Sequence, residues 1–150
     1  NPDWLRLRMA KVIGEAIDPA DWEPGGDGWN GAFHLRDAGH RTGAVHHHHH
    51  QSAIASRGWS GLVYLTPDAP AWSGTSFYRN RLTGLRVEAR GEHFDSDLDR
   101  YERVGLVENR FNRLVLFREN VLHFAEPGFG AGEARRLTQT FFFDSRRPER

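Results

Sequence analysis

Near the amino end, apolar residues recur at helical spacing: Leu5, Met9, Val12, Ile13, Ala16 and Ile17 share one face. Asn1-Pro2-Asp3 ahead of them supplies a capping side chain, a proline at the first helical position and an acid in the first turn. Asp18-Pro19 closes the run. The pattern predicts one amphipathic helix. From Trp22 to Gly31 the chain is rich in Gly, Pro and Asp, with Trp22 and Trp29 embedded, and reads as a loop folded over something. The period then shortens. Gly61–Thr66 is a compact β-rich run ended by Pro67-Asp68, and shorter candidates follow at Thr75–Tyr78, Val104–Val107, Leu114–Phe117 and Val121–Phe124. Arg136–Phe143 is the longest. Short strands separated by Gly/Pro turns predict an all-β sandwich or barrel. The charged stretch Phe94–Glu102 reads as a surface helix or loop. No internal repeat, linker or second domain is visible, so residues 1–150 are expected to form one domain.

Composition narrows the classes. Twenty basic and twenty acidic side chains cancel, which argues against a general nucleic-acid or anionic-membrane binder. Without cysteine there is no disulfide, thiolate nucleophile or Cys-ligated zinc. No apolar run approaches the roughly 18–20 residues of a membrane span. The chain opens at Asn1 without a basic-then-apolar leader, which leaves room for residues upstream. A cytoplasmic domain is expected. Lys11 is the sole lysine, which says more about base composition than about chemistry.

Candidate chemistry begins with His46–His50, five consecutive histidines in mid-chain. A tag or solvated tract is the bland explanation, although tags sit at termini. On a strand, alternation puts His46, His48 and His50 on one face and His47 and His49 on the other. Two imidazoles one residue apart on a face can share a metal ion. His123 is a lone histidine in the apolar run Asn120–Phe124, where a core role is commoner than a ligand role. Beyond it lies a Gly-rich turn, Glu126–Gly132, and then a strand with Arg136, Thr138 and Thr140 on one face and Leu137, Gln139 and Phe141 on the other. A guanidinium flanked by hydroxyls makes a carboxylate cradle.

In this order the parts resemble the Fe(II)/2-oxoglutarate-dependent oxygenase superfamily, in its prolyl-hydroxylase-like branch. Val45-His46-His47-His48 stands where that family carries a His-x-Asp pair. Leu62–Thr66 resembles the strand whose tyrosine bonds the cosubstrate, and Ser73–Phe77 the Gly-containing strand after it. Asn120–Phe124 resembles the distal-histidine strand, and Arg136–Asp144 the cosubstrate-arginine strand. The resemblance spans roughly residues 44 to 144. It implies a double-stranded β-helix, or jelly roll, with the N-terminal helix packed outside. It implies metal ligands His46, His48 and His123, and a 2-oxoglutarate site at Arg136, Thr138 and Tyr64. An Fe(II) enzyme hydroxylating a small molecule, amino acid or peptide side chain would follow.

One departure stands out: His48 occupies the place of the family's carboxylate ligand. A facial triad leaves three iron positions open for the oxoacid and O₂. Exchanging carboxylate for imidazole keeps those positions but removes a negative charge. The site could use three histidines, draw a carboxylate from elsewhere with Glu126 nearest in sequence, leave the position open, or have lost catalysis. Two other classes stay in play: a cupin-like three-histidine metalloenzyme that does not use 2-oxoglutarate, and a non-catalytic metal- or ligand-binding jelly roll. His34, His40 and His93 show no partnering pattern and are expected at the surface or behind the ligands. Trp22–Gly31 and Arg79–Arg81 are expected at the substrate entrance. Trp59 and Trp72 are expected in the core or on its rim. Asp95, Asp97, Asp99 and Glu102 lack the glycine and terminal glutamate of a calcium loop and read as a solvated face.

Overall fold

The structure, a computed structural model, describes residues 2–22, 30–40, 43–47, 58–87 and 93–146. Among these the chain forms one α-helix, α1 (Pro2–Ile13), and nine strands. The strands are β1 (Phe33–Arg36), β2 (Val45–His47), β3 (Gly58–Tyr64), β4 (Thr75–Asn80), β5 (His93–Asp95), β6 (Tyr101–Val107), β7 (Leu114–Arg118), β8 (His123–Ala125) and β9 (Arg136–Asp144). They build two antiparallel sheets, ordered β1-β9-β3-β7 and β5-β2-β8-β4-β6. Apart from β5, the pairing is nested: β1 with β9, β2 with β8, β3 with β7 and β4 with β6.

Helix α1 ends where Gly14 takes φ +70, with the amides of Gly14 and Glu15 both returning to the carbonyl of Ala10. Only glycine adopts that left-handed turn without a steric cost, so the helix stops there rather than at Asp18-Pro19. Ala16 then bridges to Arg146 and holds the following segment against the end of β9. Met9 and Ile17 are buried with Trp22, Phe141 and Phe143, and Leu5, Ala10 and Ile13 pack around them. Val12, expected on the apolar face, is exposed. Trp22 stacks on Phe141 with centroids 6.0 Å apart, which fixes it in the core beneath the helix rather than at an entrance.

Strand β9 is buried on both sides. Phe141 and Phe143 meet the helix, while Arg136, Thr138, Thr140 and Phe142 face the space between the sheets. A second cluster, Val45, Tyr101, Leu122 and Phe124, covers the other side of the five-stranded sheet. Phe94–Glu102 is neither helix nor loop throughout: β5, one 3-10 turn at Leu98–Arg100 and the start of β6 divide it. Among the described residues no helix is long and apolar enough to cross a membrane.

Candidate functional site

A cavity of about 440 Å³ lies between the sheets, lined from both. At one end stand two histidines. Period two along β2 buries Val45 and His47 on the face turned from the cavity and puts His46 into it. His46 is the register partner of His123 on β8, and their ring centroids lie 4.2 Å apart. Each ring turns Nδ1 to a carbonyl two residues upstream, His46 to Ala44 at 3.3 Å and His123 to Val121 at 2.8 Å. A carbonyl only accepts, so Nδ1 carries the proton and Nε2 the lone pair, the tautomer a metal ligand needs. Phe94 stacks on His46 at 5.3 Å, and Phe117 meets His123 edge-on at 4.6 Å. Burial holds His46 below the usual histidine range. Its bond to Ala44 opposes that shift and the charge of Arg36 adds to it.

His48, the third ligand expected from the sequence, lies outside the described residues. Among the described residues no three His, Asp or Glu side chains converge as a metal-binding group. Glu126 does not line the cavity; it accepts a short hydrogen bond from Ser76 and lies 3.8 Å from Arg103.

The other end is cationic. Arg136 is buried at the start of β9, donating from Nε to the carbonyl of Ser73 at 2.8 Å and from Nη2 to that of Gly74 at 3.2 Å. Both carbonyls lie just before β4, so the loop entering that strand sets the guanidinium plane. Arg36 is the register partner of Arg136 across β1 and β9. Burial, then the charge of Arg36, pushes Arg136 down to about 10. Thr138 and Thr140 continue the wall, and His34 shares a 3.0 Å hydrogen bond with Thr140. Burial and the charges of Arg36 and Arg136 lower the pKa of His34. Tyr64 does not line the cavity; its buried hydroxyl bonds Thr75 Oγ1 at 2.8 Å, and Thr75 does line it.

The Thr75 hydroxyl stands one strand repeat from the imidazole pair. Phe77 is opposite His123 and Thr75 opposite Ala125, so two residues of β4, roughly 7 Å, separate the imidazole level from the hydroxyl level.

His46, His123, Arg136 and Thr138, expected together from the sequence, line one cavity. His34, Arg36, Ser60, Phe117 and Phe142 line it as well, without having been expected there. The period-two alternation of Phe-His-Leu-Arg marks a strand there but does not say that its polar face is the inner one. The expected entrance is different. Arg79 pairs with Glu102, Arg81 Nε donates to the carbonyl of Tyr101, and neither lines the cavity. Within Trp22–Gly31, residues 23–29 lie outside the described part. Trp59 is half-buried against the helix-side core, while Trp72 is exposed. Comparison with family models, curated proteins and solved structures gives no match to this chain.

Proposed function

We propose that the chain is an Fe(II)/2-oxoglutarate-dependent oxygenase with a double-stranded β-helix fold. The nested strand pairing supports the fold, since a long antiparallel ladder rolled into two sheets produces that order. One observation carries the function: an imidazole pair with lone pairs on Nε2 shares a single cavity with a buried guanidinium flanked by threonine hydroxyls.

His46 and His123 fit a divalent metal by donor type and tautomer, and His48 is assigned as third ligand from the family resemblance. Bound iron would supply the O₂ chemistry that turns 2-oxoglutarate into succinate and CO₂ while a hydroxyl is placed on the substrate. The chain's own part is orientation. Arg136 and Thr138 receive the far carboxylate, Thr75 presents a hydroxyl held by Tyr64, and Arg36 adds a second positive charge to that end. Phe94 and Phe117 pack against the imidazoles and help set their ring angles.

Succinate formation with Fe(II), 2-oxoglutarate and ascorbate tests the reading. Wild-type protein forms succinate, and Arg136→Gln reduces it at least about tenfold, as loss of a charged hydrogen-bonding partner does. Formation indifferent to Arg136→Gln overturns the cosubstrate assignment. In melting experiments, 2-oxoglutarate raises the midpoint only with metal present, because binding to the folded state alone stabilises it. Stabilisation by zinc or nickel and never by 2-oxoglutarate would favour a metal-binding module.

A further inference from the structure

One polar atom of the cavity serves neither end. Ser60 sits on β3 with only 2% of its surface exposed, and its Oγ has no hydrogen-bond partner among the described residues. Its register partners are Phe142 on β9 and Phe117 on β7, and all three side chains line the cavity. Phe117 in turn meets His123 edge-on. The hydroxyl therefore belongs to an aromatic wall beside the imidazole pair, away from the arginine end.

Buried polar groups are almost always satisfied, and an unpartnered hydroxyl costs stability. Alanine fits the same space without that cost. An unpartnered hydroxyl on a cavity wall leaves a hydrogen bond for a molecule that enters the cavity. The surroundings say what kind of molecule that is: Phe94, Phe117 and Phe142 offer ring faces and edges, and His46 stacks on the first of them at an interplanar angle of 16°. Flat apolar surface packs well against such walls, and Ser60 can both donate and accept one hydrogen bond.

We propose that Ser60 is the polar anchor of the primary-substrate subsite, and that the substrate is a planar, largely apolar molecule presenting one hydroxyl or carbonyl oxygen to it. Calling the occupant a substrate rests on the oxygenase reading; the subsite does not. Phenol and toluene are matched probes, alike in size and differing in the hydroxyl. Binding to the full-length chain is measured in EDTA by ligand-observed NMR, so that the phenol oxygen finds no metal. Ser60→Ala is expected to weaken phenol binding about three- to tenfold, the worth of one hydrogen bond, and to leave toluene unchanged. The variant should melt at or above wild type.

Equal losses for both probes, less than a twofold loss for phenol, or no binding of either to wild type would overturn the proposal. So would a variant melting well below wild type, because the hydroxyl would then have a structural partner. If phenol behaves as expected while 2-oxoglutarate never stabilises the metal-loaded protein, the anchor stands and the cosubstrate reading falls.

Discussion

His46 and His123 face each other across β2 and β8 in the same posture, each giving its Nδ1 proton to a carbonyl two residues back. The local backbone thus fixes tautomer and ring angle before any metal arrives, which lowers the cost of binding one. Replacing either ring by alanine should weaken zinc binding by more than about a hundredfold, beyond the 10–100-fold typical of outer-shell changes. His40→Ala, in the exposed connection after β1, should leave it unchanged. Calorimetric titration of the full chain measures all three. Equal zinc affinity in His123→Ala and wild type would remove His123 from the site.

Gly74 links a backbone requirement to the arginine. A Cβ placed there would run into the carbonyl of Val107, a main-chain atom of the neighbouring strand, while the carbonyl of Gly74 accepts from Arg136. The Val107 carbonyl and the Asn109 amide that such a Cβ would meet are both main chain. Gly74→Ala should therefore cost about 1–3 kcal/mol, as overpacking does, and should also weaken 2-oxoglutarate binding by turning the guanidinium. Urea unfolding gives the first quantity and the KM for 2-oxoglutarate the second. A destabilised variant with unaltered KM would show that the Gly74 carbonyl does not aim Arg136.

Much of this was legible because the chain follows simple periods. In Arg136–Asp144 the alternation of Arg and Thr with Leu, Gln and Phe assigns both faces, and His123 and His46 follow from strand positions in the same way. Strand β1 was not legible because its polarity is inverted: Phe33 and Leu35 are exposed on an edge strand, while His34 and Arg36 point into the cavity. An amphipathic pattern read in the usual direction puts the wrong residues inside. Ser60 gave no signal at all, since a serine in Gly58-Trp59-Ser60-Gly61 is ordinary until register seats it between two phenylalanines. The early end of α1 turned on Gly14, whose left-handed φ outweighs the apolar spacing that continues to Ile17.

Acid should unfold the protein earlier than its charge balance suggests. His34 and His46 both titrate below the ordinary histidine value in the folded state, chiefly through burial. A depressed histidine contributes stability in full above its unfolded value, about 6.5. As pH falls below that, the unfolded chain takes up protons that the folded one refuses, and stability declines until the folded values are passed. The metal-free melting temperature should thus fall between about pH 7 and pH 5.5. His34→Gln should flatten part of that slope. A melting temperature level across this window would show that these rings ionise equally well folded.

Glu15 ties the segment after α1 to the outer face of the four-stranded sheet. Arg118 on β7 donates to its Oε1 at 2.6 Å, Ser145 donates to its Oε2 in a short hydrogen bond, and Trp59 Nε1 donates to Ser145 at 2.8 Å. The Arg118 guanidinium also covers the Trp59 ring at 4.0 Å. Burial alone would raise the carboxyl's pKa, but the bonds from Ser145 and Arg118 and the charge of Arg118 carry it below the ordinary range. Such a carboxylate stabilises the fold above its unfolded pKa, near 4.3, and loses that contribution as pH falls through the lower folded value. Glu15→Gln should cost about 2 kcal/mol at neutral pH, the scale of hydrogen bonds to a charged group, and much less at an acid pH low enough to protonate wild-type Glu15 as well. Urea unfolding of Glu15→Gln, Arg118→Met and the double variant at both pH values gives the coupling directly. Strict additivity at neutral pH would mean that the pair does not hold the helix segment, and that the Met9–Phe141–Phe143 packing does so alone.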